Sequence, residues 1–155
     1  MRQYTDLWLA MLAGAACAAM TAGPALAADL LLTKGEATAL VENNVGKPFW
    51  LLEAQCAGAY GAAYGFEQAH GHAGLAESDK ALGVAMLDNA LARLETDRGL
   101  DRDAAMALAV PEVDAGRGEA AGMLAKSGSG PDSDWNVLRS GCEDIAAAAR
   151  AHSDS

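Results

Sequence analysis

His70-Gly71-His72 sets two imidazoles one residue apart, a pattern that can chelate zinc, copper or nickel, with Glu67 or Glu77 near enough in sequence to add an oxygen ligand. Two strong ligands fall short of the three or four that a tight site uses. The same residues therefore also read as a solvated loop with two incidental histidines. Metal binding by His70 and His72 stands as an alternative reading, not the leading one.

Glu53 follows Phe49 and Trp50 by about one helical turn. An apolar wall raises a carboxyl pKa and can make a general acid, as in glycoside cleavage. A glycan-acting enzyme using Glu53 is the second alternative. The plainer expectation is an exposed helix carboxylate beside an apolar stripe.

Other chemical patterns are weaker. Gly116-Arg117-Gly118-Glu119-Ala120-Ala121 matches the dinucleotide fingerprint G-x-G-x-x-A, but that motif needs a preceding strand, which Val110 and Pro111 do not supply. Asp97, Asp101 and Asp103 miss the calcium-loop spacing. Met86 and His152 are conceivable axial ligands for a noncovalent haem, but His152 lies in the tail. Glu77-Ser78 has the Glu-Ser pair of lytic transglycosylases without the rest of that signature, and reads as a loop residue followed by an N-cap. Trp50 and Trp135, both near helix starts, are expected to pack at one end of the molecule or to anchor a ligand or partner. No cofactor is expected and no motif is specific enough to name a family.

The first residues read as a secretory leader. Arg2 gives a thin positive region, Leu7 to Met20 is apolar, Pro24 breaks the run, and Ala25-Leu26-Ala27 is an A-x-A cleavage site. Cys17 lacks the preceding leucine of a lipoprotein site, and no twin-arginine pair is present, so the Sec route is expected. The predicted division is a signal peptide over 1–27 and one exported domain over 28–155, periplasmic or secreted. The formal net charge of −10 sets the protein against nucleic acid and anionic lipid. Stable membrane insertion after cleavage is not expected: Glu53 and Gln55 interrupt the most apolar later segment, which is too short to span.

Cys56 and Cys142 remain after cleavage. Each falls on the apolar stripe of its own segment, and an oxidising compartment favours their pairing. A disulfide between them would close a loop long enough to be worth roughly 4.5 kcal/mol in chain entropy. Neither belongs to a C-x-x-C redox motif or a C-x-x-C-H haem site.

These residues must be positioned by helices. Alanine and glycine dominate, and Ile145 is the single isoleucine. Alanine is the best helix former, and β-branched residues are poorer. Thr33-Lys34-Gly35-Glu36 is a capping box that predicts a first helix over 34–45. A second is predicted over 48–68, opened by Pro48, with Phe49, Leu52, Cys56, Ala59, Ala63 and Phe66 on one face. Gly58, Gly61 and Gly65 inside it each cost roughly 1 kcal/mol against alanine, which close approach of another helix would offset.

Residues 69–77 read as a loop. Ser78 caps a third helix over 79–97 with Val84, Leu87, Leu91 and Leu94 as its stripe, helped by Leu82 and Met86, and Gly99 closes it. Asp101 caps a fourth, which Pro111 should kink or split. Ser127 to Ser133 reads as a flexible loop. The last helix starts near Asp134 with Trp135, Leu138, Cys142, Ile145 and Ala149 in line.

The predicted fold is all-α: one bundle-like domain of four to five helices, with the second and last linked by Cys56–Cys142. The leading functional expectation is a non-catalytic envelope protein that contacts another envelope protein or a small ligand. The sequence leaves the ligand, the partner and the oligomeric state open.

Overall fold

The computed structural model describes residues 29–32 and 44–153. The expected leader, the Thr33–Glu36 capping box and nearly all of the expected helix over 34–45 lie outside the described residues. The last two positions of that helix, Asn44 and Val45, enter a turn that Gly46 closes at φ 82°.

Four helices follow: α1 (Phe49–Ala69), α2 (Ala73–Arg98), α3 (Arg102–Ser127) and α4 (Asp134–Ser153). Pro48 stands just before α1 in an extended conformation, one position earlier than expected. Leu31 bridges to Pro48, and the Phe49 amide donates to the Leu30 carbonyl at 2.9 Å, so an N–H that the helix start would leave unpaired is satisfied.

α1 is the central helix. α2 and α3 pack extensively against it and α4 less so. Its contact with α3 is made by backbone. A Cβ on Gly58 would overlap the Val113 carbonyl of α3, and one on Gly116 would overlap the Gln55 backbone of α1. Gln55 Nε2 donates to Glu112 Oε2 at 2.8 Å beside this crossing. Close approach thus accounts for Gly58, but Gly65 meets open space.

The main core joins Phe49, Leu52, Tyr60, Met86, Leu124, Trp135 and Ile145. A second cluster lies between α1, α2 and α3, around Trp50, Leu91, Leu94 and Ala105. Trp50 and Trp135 therefore pack into different clusters, not at one shared end.

Cys56 and Cys142 face each other with sulfurs 2.09 Å apart and Cα atoms 5.6 Å apart, across a sequence separation of 86 residues. The link joins α1 and α4, the first and last described helices, and not the second and last. The segments are those expected; the ordinal differs because the predicted helix over 34–45 is not among the described ones.

Two local expectations are corrected, and one left open is settled. The loop over 69–77 shrinks to His70, Gly71 and His72, and Ser78 lies inside α2 instead of capping it. Gly71 at φ 77° makes the turn in one step, and Ala76 is buried, so the alanine-rich segment after His72 gains more as helix than as loop. Val84 is exposed; Met86, Ala90, Leu91 and Leu94 form the buried stripe of α2. Of the two readings open for Pro111, the structure shows one continuous helix, with Pro111 inside α3. It sits on the exposed face, where water can satisfy the carbonyl its ring frees.

The other boundaries hold. Gly99 ends α2 at φ 63°, and the Asp101 carboxylate accepts from the Ala104 amide at 2.9 Å. Ser133 Oγ accepts from the Asn136 amide at 3.1 Å, which starts α4.

The glycines predict a contrast. Gly58→Ala and Gly116→Ala should each destabilise by about 2 kcal/mol or more, because a methyl group would be forced into backbone. Gly118→Ala and Gly122→Ala, which meet open space within α3, should stabilise by up to about 1 kcal/mol. Urea denaturation of the four variants measures this directly.

Candidate functional site

A cleft of about 530 Å³ lies between α1, α3 and α4. The Cys56–Cys142 pair forms part of its lining. Leu52, Met123, Leu138 and Ile145 give it apolar wall, and Gln55 and Glu119 add polar groups. Cys56 and Leu52 reach it from the inner stripe of α1, while α4 contributes the opposite wall at the spacing Leu138, Gly141, Cys142, Ile145. This combination of apolar surface with a few polar groups is that of a small-molecule site.

A second pocket, about 290 Å³, opens between α2 and α4 above Glu53. Glu53 is not the exposed carboxylate expected from the sequence: its side chain is fully buried. α1 is covered on several sides, so the face beside its apolar stripe is interior too. Arg93 Nε donates to Glu53 Oε2 at 3.0 Å, and Arg93 Nη2 donates to the Ala149 carbonyl at 3.0 Å. The guanidinium also lies 5.4 Å from the Phe49 ring centre. Glu53 Oε1 has no hydrogen-bond partner among the described residues. Burial pushes the Glu53 carboxyl up to about 7, against the pull of Arg93.

Sequence reasoning missed Arg93. Asn89, Ala92, Arg93, Thr96 and Asp97 recur at i, i+3, i+4, i+7 and i+8 along α2, the spacing of a buried stripe, but carry polar groups. A charged residue repeating in phase beside Leu91 and Leu94 was the available signal.

His70 and His72 stay close, with ring centres 6.3 Å apart. His70 stacks on Phe66 at 4.1 Å, and its Nδ1 lies 2.7 Å from the Phe66 carbonyl. His72 Nδ1 lies 2.5 Å from Glu67 Oε2. Glu67 is thus committed to His72 and does not serve as a free oxygen ligand. Burial raises the Glu67 carboxyl, but hydrogen bonds with Ser129 and His72 outweigh it and hold it below the usual range. Glu77 is exposed, 3.7 Å from Lys80. Among the described residues no group of three or more His, Cys, Asp or Glu is placed to hold a metal.

Tyr60 and Asp79 are buried near this end. Tyr60 Oη and Asp79 Oδ1 lack hydrogen-bond partners among the described residues. Burial pushes Tyr60 up to about 12 and raises Asp79 as well. Tyr60 meets Trp135 edge to face at 5.8 Å. Met86 lies in the main core, while His152 packs edge-on against Phe49 at 5.5 Å. The G-x-G-x-x-A stretch is interior to α3, with no strand before it among the described residues. No described helix is long and apolar enough to cross a membrane.

No family model, curated protein or solved structure matches the chain.

Glu53 gives a pH prediction. Its folded pKa, about 7, lies above the ordinary 4.5, so the folded state keeps a proton that the unfolded chain has already lost. The stability it contributes is complete below about pH 4.5 and lost as pH rises through 7, a change of about 3 kcal/mol. Glu67 and Asp29 are held low and act only in stronger acid. Urea midpoints from pH 5 to 8.5 should fall in the wild type and flatten in Glu53→Gln.

Proposed function

We propose that this is an exported, non-catalytic envelope protein that binds a small amphipathic ligand in the cleft between α1, α3 and α4. The cleft carries the reading: at about 530 Å³ it has room for a small molecule, and its lining mixes aliphatic side chains with polar groups. The Cys56–Cys142 pair supports export, because structural disulfides belong to oxidising compartments. The leader over 1–27, with cleavage before Ala28, completes the proposed route.

Catalysis by Glu53 draws less support. A raised carboxyl pKa suits a general acid, but this side chain is buried beneath its pocket and bound to Arg93. A proton donor must come within hydrogen-bond reach of its substrate.

The test uses N-phenyl-1-naphthylamine, an uncharged amphipathic dye. Fluorescence titration should show saturable micromolar binding. Leu138→Trp, which fills the cleft from a half-buried position, should weaken binding at least tenfold while leaving the helical circular dichroism unchanged. Binding indifferent to this substitution overturns the cleft assignment. Mass spectrometry of the envelope fraction tests the route: the chain should begin at Ala28 with both sulfurs oxidised.

One observation favours the metal reading as a second proposal. The Nδ1 atoms of His70 and His72 sit against a carbonyl and a carboxylate, the arrangement that fixes a tautomer and presents Nε2 to a metal. With only two such nitrogens, binding should be weak. Isothermal titration with zinc, copper and nickel should then show micromolar affinity that His70→Ala/His72→Ala abolishes.

A further inference from the structure

The geometry points to a second site, separate from the cleft: the pocket between α2 and α4 binds a small oxyanion, a carboxylate or a tetrahedral anion, between Arg93 and Arg150, with uptake of a proton by Glu53.

Arg93 is the floor of this site. Its Nε and Nη2 are engaged by Glu53 and the Ala149 carbonyl, and Phe49 packs under the guanidinium. Nη1 makes no hydrogen bond among the described residues, and Arg93 lines the pocket. Arg150 lines the same pocket from α4, is exposed, and has no ion-pair partner among the described residues. Asn89 and Thr96 add an amide and a hydroxyl from α2. Guanidinium forks are matched to carboxylate and phosphate oxygens, and a half-buried fork held on several sides loses little entropy on binding. Two arginines line this pocket against Glu53 and Asp97, so its charge balances while Glu53 is ionised and turns positive when Glu53 is protonated.

The proton enters through Glu53. An incoming anion and the Glu53 carboxylate compete for the same guanidinium. Glu53 Oε1 is buried without a hydrogen-bond partner among the described residues, so its charged form is poorly served. Protonating Glu53 frees Arg93 for the ligand and leaves the pocket with an excess of positive charge. The charged or titratable groups facing Glu53 are Arg93 and Asp97 on α2, with Arg150 and His152 on α4. Asp97 opposes an anion. His152, which packs on Phe49, is the other titratable group on this side and must be separated from Glu53 by mutation.

If only the protonated form of Glu53 admits the anion, a pKa of about 7 makes binding about tenfold weaker at pH 8 than at pH 6. Isothermal titration of the full chain with sulfate, which does not titrate here, and with succinate tests this. Binding of either at pH 6, weaker by about tenfold at pH 8, is expected. Preference for sulfate assigns a tetrahedral ligand and preference for succinate a carboxylate.

Arg150→Gln, at an exposed position that folding does not need, should weaken binding at least tenfold at both pH values. Asp97→Asn should strengthen it, and Glu53→Gln should bind with no pH dependence. His152→Gln should keep the pH dependence; if it removes it, the proton is not on Glu53 and the coupling fails. Should Glu53→Gln not fold, the wild-type ratio with the His152 and Arg150 variants decides. No binding at pH 6, or full affinity in Arg150→Gln, overturns the site. Leu138→Trp should leave sulfate and succinate binding unchanged, which keeps this result independent of the cleft.

Discussion

Backbone contact between α1 and α3 is the constraint from which the rest of the arrangement follows. Gly58 and Gly116 let the two helices meet with no side chain between them. A chain this rich in alanine has limited means to fill the space between helices. Drawing the axes together reduces the space instead, and alanines at positions such as 54, 90, 105 and 109 suffice to pack it. The energetic loss of helical glycine is offset by contacts that a Cβ would forbid.

That closeness forces α1 into the interior. Helices lie on several of its faces, so Glu53, Tyr60 and Glu67 are buried with the apolar stripe. Each is handled differently. Glu67 has hydrogen-bonding neighbours in Ser129 and His72 and remains readily ionised. Glu53 has Arg93 but keeps one oxygen unpaired, and burial wins. Tyr60 keeps an unpaired hydroxyl and relies on its edge contact with Trp135. Buried polar groups of this kind add little to net stability and much to the chemical character of the surfaces above them.

Much of this was legible in the sequence, for identifiable reasons. The stripes of α1 and α4, the facing of Cys56 and Cys142, the Gly99 closure and the Asp101 cap all rest on short-range rules of spacing and capping. The misreadings come from tertiary context. Ser78 has the chemistry of a cap, but Ala76 is drawn into the interior and the helix begins before it. The sequence leaves open whether Pro111 splits its helix, and its exposed position lets water serve the freed carbonyl within one continuous α3. The burial of Glu53 depends on how many neighbours surround α1, which no local pattern states. Arg93 was hidden because the partner that explains it, Glu53, lies 40 positions earlier in the chain.

α4 has a different standing from the other helices. α1, α2 and α3 share broad surfaces and a cluster of their own around Trp50, Leu91 and Leu94, whereas α4 rests on one stripe and a single covalent link. Yet α4 supplies one side of both concavities. Opening the sulfur–sulfur link would leave a three-helix body still able to hold together while its fourth member swings outward. Both concavities would then lose a wall, so oxidation of the two sulfurs governs the shape of the surface around them.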